Sequence, residues 1–146
     1  MALQLSAIRS GITQQIENIS GFHLVKMLPD YFGRAQESIA HKGFTVQIAS
    51  TSERTDERQR RSIGVYASTS VIIRFAYRLR PMDVYPTDYD NALDAEESVL
   101  LACLNSYASI EPRMQIRYNT TTRESTESNE YILTTISFTV LHTIGD

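Results

Sequence analysis

The sequence is short of nearly everything that marks a catalytic, secreted or membrane-spanning chain. It has one cysteine, Cys103, so an internal disulfide and a cysteine-rich zinc site are both excluded, and stability has to come from packing or association. No apolar run approaches the roughly 18 uncharged residues of a membrane-spanning helix. The start, MALQLSAIRSGITQQ, lacks the basic segment and apolar block of a signal peptide, so a cytoplasmic origin is expected. The six glycines are scattered and form no phosphate-cradling loop or nucleophile elbow. A net charge of -3 argues against a protein whose main affinity is for nucleic-acid phosphates.

What remains is a soluble, globular composition, 42% hydrophobic and 21% charged, in 146 residues, enough for one domain with a real core. Its dominant stretch is Ile63 to Arg80. Odd positions run Ile63, Val65, Ala67, Thr69, Val71, Ile73, Phe75, Tyr77, Leu79, and even positions include Ser68, Ser70, Arg74, Arg78 and Arg80. This period of two predicts a long central strand with one buried face. A shorter alternating run, Phe44 to Ile48, follows the turn-forming Lys42-Gly43 and should pair with it antiparallel.

Helical spacing occurs twice. Leu5, Ile8, Ile12, Ile16 and Ile19 recur three or four apart, with Gly21 as the expected C-terminal cap. Tyr89, Ala92, Leu93, Glu96, Val99, Leu100, Cys103 and Leu104 predict a second helix, with Thr87 and Asp88 as N-caps after the proline-bearing link from Pro81 to Pro86. The stretch Phe22 to Gly43 suggests an extended piece and a helical turn around Ala35 to Ala40. Two more strands are expected at Arg113 to Asn119 and Tyr131 to Ile144, separated by a polar loop from Thr120 to Glu130. The expected fold is therefore α+β, a mostly antiparallel sheet with two helices packed on one face, in the order helix, two strands, helix, two strands.

Residue constellations for chemistry are weak. His23, His41 and His142 are far apart in sequence and lack paired-ligand spacing. Cys103 sits on an apolar helix face with no basic neighbour, which reads as core filling. Asp83, Asp88, Asp90 and Asp94 gather around a helix start, where capping and the helix dipole explain them more simply than a metal site or acid/base pair. Neither a cofactor nor catalysis is expected.

Two features favour interaction instead. From Ser50 to Ser62 the chain reads as a projecting charged hairpin arm carrying Arg54, Arg58, Arg60 and Arg61, which meets carboxylates or phosphates if it is more than a solvated tip. From Tyr131 to Ile144 there is no Lys, Arg, Asp or Glu, so this strand is either central or covered by another chain. The even face of the long strand, including Ile72, Arg74, Arg78 and Arg80, is too mixed for a core and suits a neighbouring subunit.

The order of these elements is similar to that of the tail terminator, or tail-completion, proteins of long-tailed bacteriophages. The likeness lies in LQLSAIRSGITQQIENI, FTVQI, a charged excursion, VYASTSVIIRFAYRL, a proline-bearing link into YDNALDAEESVLLACL, and the final IRY and YILTTISFTVLHTI. It spans nearly the whole chain but rests on length, order and strand texture, since the family has no short signature. The resemblance implies a non-catalytic virion protein, made in the host cytoplasm. It would form a homohexameric ring that caps the tail tube, meets the head-tail connector or head-closure protein, and encircles double-stranded DNA. Another neck adaptor, or a small nucleic-acid-binding module using the arm with Arg74, Arg78 and Arg80, are the alternatives. A small enzyme using the Asp83 to Asp94 carboxylates is the weakest reading.

Overall fold

The computed structural model describes residues 4–25, 41–53, 65–79, 85–125 and 131–144. The expected turn at Ala35 to Ala40, the arm residues Arg54, Arg58, Arg60 and Arg61, and also Ile63, Arg80 and Asp83 lie outside the described residues.

Alternation builds the sheet. The long strand β3 (Val65–Arg78) pairs antiparallel along its whole length with β5 (Tyr131–Ile144), from Val65 opposite Ile144 to Arg78 opposite Tyr131. Because both strands alternate with period two, odd residues of β3 and even residues of β5 share one face. That face carries Val71, Ile73, Phe75, Ile136, Phe138 and Val140, all with no exposed surface. β2 (Gly43–Glu53) flanks β3 antiparallel, and β4 (Gln115–Ser125) flanks β5 antiparallel. A two-residue strand, β1 (His23–Leu24), adds parallel to the start of β2, giving the order β1-β2-β3-β5-β4.

The helices close the apolar face. In α1 (Leu5–Glu17), Ile8, Ile12 and Ile16 recur every four residues and are buried. In α2 (Tyr85–Leu104), Ala92, Val99 and Cys103 are buried. Both helices contribute to one core with the strand residues, as does Phe22, whose ring stands edge-on to Phe75 at 5.4 Å. Burying each of these large side chains contributes about 1.5–3 kcal/mol, so this main core carries most of the stability. The α+β class and the helix, strand, helix, strand order are as the sequence implies; the extended piece expected after Phe22 appears as the two-residue β1, and the one-turn helix α3 (Tyr107–Ile110) is added.

Several boundaries move. β4 continues through Ser125 where a polar loop was expected from Thr120: a bulge at Asn119 lets the Thr-rich segment resume pairing, Thr120 opposite Ser137 and Ser125 opposite Ile132. β2 likewise continues past a bulge at Ala49, so 50–53 belong to the sheet and not to the expected arm from Ser50, the rest of which lies outside the described residues. α2 begins at Tyr85, ahead of the expected caps Thr87 and Asp88, because proline is tolerated in a first turn, where its missing N–H has no partner to lose. α1 ends at Glu17 with Asn18 as its C-cap, and Gly21 supplies the positive φ of 85° for the turn beyond it.

Close approach of α1 to α3 depends on the missing side chain of Gly11: a Cβ there would overlap the Ile110 side chain at Cγ1. Gly11→Val should lower the unfolding free energy by about 1–3 kcal/mol through overpacking, read by urea denaturation. Adding Ile110→Ala should return part of that loss.

Candidate functional site

The helices cover one face of the sheet, and no described helix packs on the other. On that second face the β3 and β5 partners read Tyr66 with Thr143, Ser68 with Leu141, Ser70 with Thr139, Ile72 with Ser137, and Arg74 with Thr135. Toward one end Ala76 and Tyr131 are buried and pack with Leu133. The middle is a neutral polar ladder whose groups bond to one another. Asn119, at the bulge of β4, donates from Nδ2 to Thr139 Oγ1 at 2.8 Å, and Arg74 Nη1 donates to Gln47 Oε1 at 2.8 Å.

This arrangement brings together three of the residues singled out from sequence. Ile72, Arg74 and Arg78 lie at alternate or fourth positions of β3 on the helix-free face, Ile72 half-buried and the two arginines exposed. Arg54, Arg58, Arg60, Arg61 and Arg80 fall outside the described residues, so the proposed basic track is represented here by two of its members. Arg117 joins them on the same face, opposite Thr139. Alternation in Arg113 to Asn119, with Met114, Ile116 and Tyr118 on the other side, already sets its face, but sequence reasoning did not single it out.

The absence of charge in β5 now has a position to go with it. β5 lies between β3 and β4, so both of its edges are paired, and a central place in the sheet accounts for the missing charges without a partner chain. Interruptions occur instead along the rest of β2 beyond the short β1, by the bulge at Ala49, and in the edge strand β4, by the bulge at Asn119. On the β2 side, Arg9 Nε donates to the Val46 carbonyl at 2.9 Å, occupying a backbone acceptor beyond the short β1.

Two polar clusters, each with a histidine, were hidden by chain order. At one end of β3 the parallel pairing of β1 with β2 brings His23 near His41, which are 18 positions apart in the chain. His41 stands edge-on to Tyr77 at 4.7 Å, and its Nδ1 accepts the Arg78 backbone N–H at 3.0 Å. Its pKa is lowered, first by partial burial, then by the positive charges of Lys42 and Arg78, against an opposing contribution from Asp88. At the other end, buried His142 Nε2 lies 2.6 Å from Thr69 Oγ1, which is 3.0 Å from Thr51 Oγ1, a hydroxyl chain across β5, β3 and β2. Such a chain satisfies polar groups that would otherwise cost stability on burial.

The carboxylates at the start of α2 do not converge. Asp88 is buried within the first turn, whereas Asp90 and Asp94 are exposed on the opposite side of the helix. Glu96 holds Arg123 of β4 through two hydrogen bonds, Nε to Oε1 at 2.6 Å and Nη2 to Oε2, fastening the helix to the sheet edge and raising the arginine pKa. Burial pushes the Cys103 thiol far above its usual range. Among the described residues no group of three or more His, Cys, Asp or Glu is placed to hold a metal ion, and no helix is long and apolar enough to cross a membrane. The sequence matches no protein-family model and no curated protein.

The lowered pKa of His41 sets the sign of a pH effect. As pH falls through about 6.5, the unfolded chain takes up this proton before the folded one. Stability from this group is therefore complete above pH 6.5 and declines from there toward the folded pKa. Urea midpoints measured across that range should show this decline, and His41→Gln should remove its share of the slope.

Proposed function

We propose that this chain is a ring-forming structural subunit of a bacteriophage neck or tail. In this reading it is a tail terminator that caps the tail tube and joins it to the head connector or head-closure protein, with double-stranded DNA passing through the lumen. The observation that carries the reading is the one-sided helix layer. It leaves a sheet face that combines a neutral Ser/Thr ladder with half-buried Ile72 and three arginines, Arg74, Arg78 and Arg117. A face of that composition suits a polar, reversible subunit contact better than a core or a catalytic cleft.

The element order that resembles the tail terminator family supports the same role, and so does the weakness of the alternatives among the described residues. The carboxylates of α2 diverge, and Cys103 is buried in the core. A phosphate-binding module would draw on a basic surplus that a net charge of -3 does not supply. The localisation that goes with the proposal is the virion, at the neck or tail.

Light scattering for mass in solution, with negative-stain imaging of the particles, tests this directly. Rings of several subunits are expected, forming alone or on addition of tail-tube protein. Ile72→Asp should keep the wild-type circular dichroism and lose assembly. A strict monomer at high concentration that gives no ring with tail-tube protein would overturn the proposal.

A further inference from the structure

The outer surface of α2 is acidic along its length. The segment 85–104 contains five carboxylates and no Lys, Arg or His. Two of the five are used internally, Asp88 by burial and Glu96 by Arg123. The other three, Asp90, Asp94 and Glu97, are exposed, and at 3.6 residues per turn they fall within about 60° of one another, together with Leu101. That stripe lies opposite the buried side of the helix, which is marked by Ala92, Val99 and Cys103. Among the described residues none of the three carboxylates has a cationic partner, and Leu101 is 50% exposed.

On the far side of the molecule the charges have the other sign. Arg74 and Arg117 are exposed on the helix-free sheet face, and among the described residues neither has a carboxylate partner. Half-buried Ile72 lies next to Arg74 along the same face. The one described carboxylate of that face is Glu124, which pairs opposite Leu133 toward the other end of β4 from Arg117.

We propose that the acidic stripe of α2 in one copy docks on the helix-free sheet face of the next copy. Asp90, Asp94 and Glu97 meet Arg74 and Arg117, and Leu101 supplies the apolar contact against Ile72. This rests on the ring reading above and adds the surfaces to it. The occupant is a second copy because the two complementary patches belong to one chain and lie on opposite sides of it. Such a contact is heterologous, each subunit using one patch for each neighbour, so it propagates head to tail and closes into a ring if the rotation allows. Strand addition at the sheet edges is a poorer joint, since bulges at Ala49 and Asn119 break the regular run of free backbone groups on both sides. Opposite charge also counters the repulsion between copies of a chain with net charge -3.

Charge exchange in the full chain tests the contact. One variant carries Arg74→Glu with Arg117→Glu, and a second carries Asp94→Lys with Glu97→Lys. Each alone, folded by circular dichroism, should lose association about tenfold or more by sedimentation velocity. An equimolar mixture of the two should reassemble, because alternating copies place every lysine stripe on a glutamate face and every acidic stripe on an arginine face. The four-substitution chain should reassemble by itself, and added salt should weaken wild-type assembly. If the wild type forms rings and both variants do so equally well, the proposed contact is wrong and the ring reading stands. If the variants fail and neither the mixture nor the four-substitution chain recovers, the contact is likewise overturned. If the wild type never assembles, alone or with tail-tube protein, both readings fall together.

Discussion

The antiparallel pairing of β3 with β5 is the constraint on which the rest depends. Fourteen residues of each strand pair without a register shift, and a slip of one residue would exchange the two faces of β5. In the observed register Val71, Ile73 and Phe75 align with Phe138, Ile136 and Thr134, so one face is a continuous apolar surface. The two helices have that surface alone on which to bury Ile8, Ile12, Ile16, Val99 and Cys103, which fixes them to one side. The opposite face, with its neutral polar middle, is thus a consequence of the same register that makes the core.

The flanking strands relax the rule where the centre cannot. β2 and β4 each carry one bulge, and after it the alternation resumes with its phase shifted. These irregularities keep edge residues such as Thr51 and Thr121 on the helix side and re-aim others, including Asn119, onto the neutral ladder. They also make the edges unattractive for strand addition. A structure with a regular centre, interrupted edges and helices on one side has two broad surfaces of different chemistry, one acidic along α2 and one neutral to basic on the sheet. That polarity fits a subunit which repeats in one direction.

The parts of the site that were visible in the sequence are those on the central strand. Ile72, Arg74 and Arg78 could be assigned a common face from alternation alone, because β3 has no bulge. Arg117 was open to the same reading, since Met114, Ile116 and Tyr118 alternate on the other side and the bulge comes only at Asn119, but nothing in the sequence marked it for function. The meeting of His23 with His41 was hidden: it needs the parallel pairing of a two-residue strand, too short to leave a periodic signal. The lack of charge in Tyr131 to Ile144 allowed either a central strand or one covered by another chain, and strand order alone separates these.

What the sequence by itself determined is therefore the set of long elements, the mixed class and the choice of which face of each long element is apolar. Periodicity is a local property of neighbouring side chains, and it survives without knowledge of partners. The tertiary structure alone decided strand order, the extension of β2 and β4 past their bulges, the start of α2 at Tyr85 and the pairing of Glu96 with Arg123. Each of these depends on backbone groups or side chains distant in the chain finding one another, and such matches are selected by the energy of the whole packed arrangement.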